Sequence, residues 1–171
     1  MVLCAQYDAG FHSESKGRSR SGANIFLSKN DAMPRWNSSV LTLAKIIKFV
    51  MSSASEAKLG VLFITDQDMV AMRNTLEEMK WAQQKSPIQT DKYSAAGIVN
   101  NTIVPIKLKT MDRRLHWLRC REAQGQFRYY WASVNLNWGD YSTKHHPPIY
   151  HESKIMQFAG NSDSIKDIRS Q

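Results

Sequence analysis

Hydrophobic and polar positions fall into short strand-like runs over the first third of the chain and into helical periodicities after it. Residues 2–11, VLCAQYDAGF, are apolar with β-branched and aromatic members, which predicts a first strand carrying Asp8 near its C-terminal end. Residues 12–22, HSESKGRSRSG, are polar and predict a loop closed by Gly22, and residues 23–28, ANIFLS, predict the returning strand of a hairpin. A turn cluster over 29–39 contains Asn30, Asp31, Pro34 and Asn37, and residues 40–44, VLTLA, predict a third short strand. Three consecutive strands imply an antiparallel start.

The period then changes. Ser52 and Ser53 are good N-cap residues, and from them residues 53–65 carry apolar side chains at Ala54, Ala57, Leu59, Val61, Leu62 and Phe63. That spread predicts a largely buried helix with Glu56 in its first turns. Residues 68–81 predict a second, amphipathic helix, with Met69, Met72, Leu76 and Met79 on one stripe and Arg73, Glu77 and Glu78 opposite. After Ser86-Pro87, residues 87–91 predict a fourth strand ending at Asp91, and residues 93–101 a short helix; strand followed by helix implies an α/β crossover. Residues 106–125 predict a helix with Met111, Leu115 and Leu118 inward and a flank of Lys107, Lys109, Arg113, Arg114, Arg119 and Arg121. Residues 127–133, FRYYWAS, predict a fifth strand, residues 135–139 a loop, and Asp140 opens a further helix. The expected organisation is one domain over 1–150 and an irregular tail over 151–171.

Composition narrows the partners. At 171 residues and 42% hydrophobic the chain buries one core, and 23 Lys and Arg against 15 Asp and Glu leave a formal charge of +8, which favours a polyanion such as nucleic acid. No apolar run approaches the roughly 18 residues of a membrane span. Cys4 and Cys120 are too few for a disulfide framework or a four-thiolate zinc site, and the first residues lack the features of a signal peptide, so a reducing intracellular compartment is expected.

Three acids lie at the ends or in the first turns of apolar elements, Asp8, Glu56 and Asp91, and a fourth, Asp140, follows the last strand. Burying several carboxylates is costly unless cations neutralise them, and an oxygen-only ligand set suits magnesium or manganese rather than zinc. Such a cluster fits two-metal phosphodiester chemistry. An acid at a strand end is equally a cap or a turn residue, and spacing leaves both readings open. Arg18 and Arg20 on the first hairpin, with Lys109, Arg114 and Arg119, are candidate phosphate contacts. His116 lies in one segment with Asp112, Arg114 and Arg119, and His145 is read as a surface turn residue, with a role in product release as the alternative.

Five motifs in order resemble one family. YDAGFHSESKGRSRSGANIFL is similar to an SDA-type strand, an RS-x-SG turn and an aromatic strand; Ser52-Ser53-Ala54-Ser55-Glu56-Ala57-Lys58 to SS-x-x-EAE; TDKYSAAGIVNN to TDN-x-x-A-x-x-I-x-N; TMDRRLHWLR to HID-x-R-x-H-x-x-R; and Asn137 to Lys144 to N-x-AD-x-x-TK. The pattern is that of the ribonuclease H domain of copia-type retrotransposon Pol polyproteins, and it covers residues 3–150. The resemblance implies a ribonuclease H-like α/β fold, a mixed five-stranded sheet with helices on both faces. It implies cleavage of the RNA strand of RNA/DNA hybrids, with Asp8, Glu56, Asp91 and Asp140 holding two magnesium ions, or manganese in their place, and with reverse transcriptase and integrase portions as polyprotein partners. Lys58 and Lys92 depart from the pattern, as does the loop before Asp140, which lacks the Pro-Gly turn; they point to reduced activity. Two other readings follow from the same fold: a catalytically weakened nucleic-acid-binding relic, and an integrase- or transposase-type DNA nuclease.

Overall fold

In strand β1 (Val2–Glu14), Leu3, Ala5 and Tyr7 enter the main core while Val2 and Cys4 pack on the opposite face, the period-two division of a two-sided strand. The computed structural model describes residues 1–103 and 112–158. β1 pairs antiparallel with β2 (Arg18–Ser28), from Val2↔Ser28 to Gly10↔Arg20 and again at Glu14↔Arg18. Most of the polar stretch expected as a loop is therefore ladder. Backbone groups pair whatever the side chains are, and only Ser15–Gly17 turns, with Lys16 and Gly17 at φ of 61° and 65°. His12, at φ 50°, lies where the register shifts.

β3 (Leu41–Ile46) extends the antiparallel part, and β4 (Ser86–Thr90) and β5 (Phe127–Trp131) add parallel to β1, giving the sheet order β3-β2-β1-β4-β5. The two helices expected between β3 and β4 are one, α1 (Ala54–Glu78), of 25 residues. Nothing in the segment between them breaks a helix: Thr65 Oγ1 donates back to the Val61 carbonyl at 2.9 Å and Asp66 is buried. Leu59, Leu62, Asp66, Met69 and Arg73 follow the 3-4 spacing of one buried stripe. Arg73, expected on the solvent side, is buried, with its guanidinium donating to the carbonyls of Gln83 and Gln84 and to Ser86 Oγ.

α2 (Tyr93–Val99) and α3 (Asp112–Ala123) pack with α1 over one face of the sheet. Lys107, Lys109 and Met111 lie outside the described residues. The other face carries Val2, Cys4 and Phe26 beneath Trp36, which stacks on Trp138 at 5.4 Å. A 3-10 turn, Trp138–Ser142, lies over this face, in place of the helix expected to open at Asp140. Residues from 151, expected to be an irregular tail, continue a helix, α4 (Pro148–Phe158). Its proline is the first helical residue, where a missing N–H costs nothing, so the Pro pair starts an element rather than ending one. Lys154 of α4 lies 4.5 Å above the Trp138 ring. The architecture is the expected mixed five-stranded sheet with helices on both faces. Among the described residues no helix is long and apolar enough to cross a membrane.

Candidate nucleic-acid interface

β1 and β4 run parallel with Gln6 opposite Gln89, and the two side chains share a hydrogen bond of 3.0 Å. Two residues further on stand Asp8, in β1, and Asp91, the residue that follows β4, so the register brings these carboxylates level at the ends of strands roughly 4.8 Å apart. Two acids so placed repel one another unless a cation lies between them. That cation is Lys58: its Nζ donates to Asp8 Oδ1 at 2.7 Å and to Asp91 Oδ1. The side chains of all three are nearly buried. Asp91 is also held through its backbone, whose carbonyl accepts from Trp131 Nε1 at 3.0 Å.

Lys58 comes from the second turn of α1, and the same geometry decides what Glu56 does. Positions two apart on a helix point about 200° from one another, so residues 56 and 58 cannot both face the strand ends. Glu56 turns to the helix start. Ser53 Oγ accepts from the Glu56 N–H at 3.1 Å, and Glu56 Oε2 accepts from the Ser52 N–H at 2.7 Å and from the Ser52 hydroxyl. This is the reciprocal bonding of a capping box, displaced by one residue.

Asp140 is brought in by the 3-10 turn, which presses closely on the hairpin. A Cβ on Gly139 would lie 2.7 Å from the Asp8 nitrogen, and one on Gly22 would lie 2.5 Å from the Gly139 carbonyl oxygen, so both positions require glycine. Asn137 fixes the turn, donating from Nδ2 to the Tyr7 carbonyl at 2.8 Å and accepting from the Gly139 N–H. Thr143 Oγ1 donates to Asp8 Oδ2, and Lys144 Nζ pairs with Asp140 Oδ1. Burial pushes the Asp8 carboxyl up, but the charge and hydrogen bond of Lys58, with the Thr143 hydroxyl and the Ala9 N–H, outweigh it and hold it below the usual carboxylate range. Lys144 is held above its ordinary value by its hydrogen bond to Asp140, against partial burial, and by the charges of Asp140, Asp8 and Asp91. Three acids and two lysines thus share one field.

The structure therefore unites Asp8 and Asp91 directly and places Asp140 beside them, while Glu56 bonds at the helix cap. As arranged, these residues do not fit a divalent ion between Asp8 and Asp91: the oxygens that would ligate it accept from the Lys58 ammonium. Among the described residues no three His, Cys, Asp or Glu side chains are placed to hold one metal ion. Among them, too, the cation paired with Asp91 is Lys58, not the adjacent Lys92, which is the N-cap of α2. Lys58 was legible as a departure from a motif, and the two-residue offset from Glu56 was the signal that it, and not Glu56, faces the strands.

The basic candidates divide. Arg18 and Arg20 lie on the first hairpin, Arg18 bonded to Ser15 and Arg20 paired with Glu14. Arg114 lies 3.8 Å over the Phe49 ring, and Arg119 donates from Nε and Nη2 to the Ile98 carbonyl, capping the end of α2. Lys109 lies outside the described residues. His116 Nε2 is 3.6 Å from Cys120 Sγ, and His145 is exposed on the turn before α4. Two aromatics flank Asp91 in solvent, Tyr93 at 71% and Trp131 at 52% exposure. A cavity of about 520 Å³ beside Asp140 is lined by Asn137, Trp138, Tyr141, Lys144, His146 and Lys154, among others.

No family model matches the chain. In sequence it is 25% identical over 143 residues to the retrovirus-related Pol polyprotein from transposon TNT 1-94 of Nicotiana tabacum, a match covering 84% of this chain and 10% of that protein. In structure it is similar to LC11 ribonuclease H1, isolated from compost, with a TM-score of 0.61 and 12% identity over 82% of this chain and 91% of that one. The complex of LC11 ribonuclease H1 with an RNA/DNA hybrid gives a TM-score of 0.58, with 10% identity over 80% of this chain and 88% of that one. The N-terminal ribonuclease H domain of a Mycobacterium tuberculosis protein gives 0.55, with 13% identity over 80% and 85%. The chain has a ribonuclease H fold and is similar in sequence to a segment of a retrovirus-related transposon Pol polyprotein.

Proposed function

We propose that this domain binds RNA/DNA hybrid inside the cell, as the ribonuclease H portion of a copia-type Pol polyprotein acting beside reverse transcriptase and integrase portions. The observation that carries the reading is the convergence of Asp8, Asp91 and Asp140 at one end of the central strands of a ribonuclease H fold, in a chain of net charge +8. Arg18 and Arg20 on the hairpin supply phosphate contacts, and Lys144 and Lys154 in the cavity beside Asp140 set cations next to Trp138 and Tyr141. Tyr93 and Trp131 offer exposed faces on which a sugar or base can rest. A hybrid so held is read by backbone and shape, with little sequence preference.

Hydrolysis is the second reading. Magnesium bound among the acids would supply an activated water and a stabilised leaving oxygen. With Lys58 between Asp8 and Asp91 and Glu56 at the helix cap, the geometry favours binding over cleavage. The test is a labelled hybrid offered to the full chain in magnesium or manganese, alongside duplex DNA of the same sequence. The expected result is salt-sensitive binding that prefers the hybrid, with RNA cleavage no faster than that of Asp91→Asn. Cleavage abolished by Asp91→Asn establishes the endonuclease instead, and preference for duplex DNA the integrase or transposase reading.

A further inference from the structure

Lys58 answers a problem that the sheet creates. Parallel register sets Asp8 and Asp91 side by side, and both carboxylates are largely withdrawn from water, with side-chain exposures of 4% and 14%. A fold can relieve such a pair by keeping one acid protonated or by bringing in a cation. The geometry shows the second: one ammonium donates to both carboxylates, and that cation is part of the chain. Both oxygens of Asp8 have partners, Oδ1 in Lys58 Nζ and Oδ2 in Thr143 Oγ1, and the same ammonium takes Asp91 Oδ1. Its stem comes from a helix packed on the sheet, so its effective concentration at the pair far exceeds that of a free ion.

We propose that Lys58 is a built-in replacement for a divalent cation between Asp8 and Asp91, so that the repulsion within this pair is relieved by the chain itself and the site holds together without metal. Asp8 and Asp91 with Lys58 carry one net negative charge; a carboxylate at position 58 would leave three, a strong field for a divalent ion. The lengths agree with the exchange. Lys Nζ stands five bonds from its Cα and the Glu carboxylate oxygens four, which leaves a gap for an ion whose bonds to oxygen are about 2.0–2.1 Å long. The inference rests on the proposed function only in calling this the nucleic-acid-facing site. Its test contains no nucleic acid, so it fails or succeeds independently of hybrid binding.

The experiment measures Mn2+ binding to the full chain by calorimetry and by the paramagnetic signal of the free ion, and follows thermal unfolding across a millimolar Mn2+ series. Wild type, Lys58→Glu and Lys58→Gln are compared. The expected result is no saturable Mn2+ binding and an unmoved Tm for wild type. Lys58→Glu should gain a saturable site and a Tm that rises with Mn2+, at least about 2 °C per tenfold increase above the dissociation constant. Lys58→Gln, which loses the cation without adding charge, covers the case in which Lys58→Glu does not fold: its Tm should be low in EDTA and rise with Mn2+. A wild type that binds Mn2+ as tightly as Lys58→Glu, or whose Tm rises with Mn2+ as much as that of Lys58→Gln, overturns the proposal, as does a Lys58→Glu protein that folds and gains no site.

Discussion

At Lys58 a single side chain sets the charge of its surroundings. Its ammonium joins two carboxylates that the strand register would otherwise leave in repulsion. Replacing it with an uncharged chain of similar length, Lys58→Met, should cost about 3 kcal/mol at neutral pH, the order found when one partner of a buried ion pair is removed. Urea unfolding of the two proteins checks this, and an unchanged midpoint would show that the pairing contributes nothing. A second buried acid behaves oppositely. Burial drives the Asp66 carboxyl well above its ordinary value, against the lowering effect of the Tyr129 hydroxyl that donates to Oδ2. The folded state thus keeps a proton that the unfolded chain releases above 3.8, so stability declines as pH rises from there towards the folded-state value. Asp66→Asn, which keeps an acceptor for Tyr129 and cannot ionise, should raise Tm at neutral pH by a few degrees and flatten that decline. Melting curves from pH 4 to pH 7.5 decide; a variant less stable at every pH contradicts the reading.

At the level of elements, α1 and the 3-10 turn carry the site. Glu56 closes the start of α1, so Glu56→Ala should lose about 1 kcal/mol of stability and leave hybrid affinity unchanged. A variant of normal stability that no longer binds hybrid would instead place Glu56 at the interface. Gly139→Ala pushes a methyl group into the backbone of Tyr7 and Asp8, which predicts a loss of about 1–3 kcal/mol together with weaker hybrid binding. Unfolding and anisotropy on the same preparation test both halves.

The elements were legible to different degrees, for physical reasons. β1, β2, β4 and β5 were readable because apolar side chains mark a strand buried on the sheet. The polar half of the first hairpin was not, since its ladder is made by backbone groups indifferent to Ser and Arg. α1 read as two helices because the pattern looked interrupted around Asp66, whose burial no periodicity announces. α4 was hidden by prolines that break a helix in its interior but begin one at its first residue. Asp8, Asp91 and Asp140 followed from their places at element ends, and the pairing of the first two is simple register arithmetic once β1 and β4 are known to be parallel. Lys58 was readable as a departure from a motif, but its place between the two acids was not, because residue type drew attention to Glu56 while direction on the helix is what decides.

For the molecule as a whole, a net charge of +8 accompanies a small acidic site whose three carboxylates are paired with two lysines. The surplus attracts a polyanion by releasing its counterions, which is a matter of the total field and little affected by single residues. The acids at the strand ends would normally resist that approach, and Lys58 and Lys144 remove most of the penalty without an added ion. Binding of a hybrid by this chain is therefore predicted to need no divalent metal. The most direct measurement is the affinity of the full chain for a labelled RNA/DNA hybrid in EDTA and in magnesium at matched ionic strength, with the integrity of the RNA strand read from the same samples. Equal affinity in both, with the RNA intact, is the predicted result; affinity lost in EDTA and restored by magnesium, with the RNA cut, would contradict it.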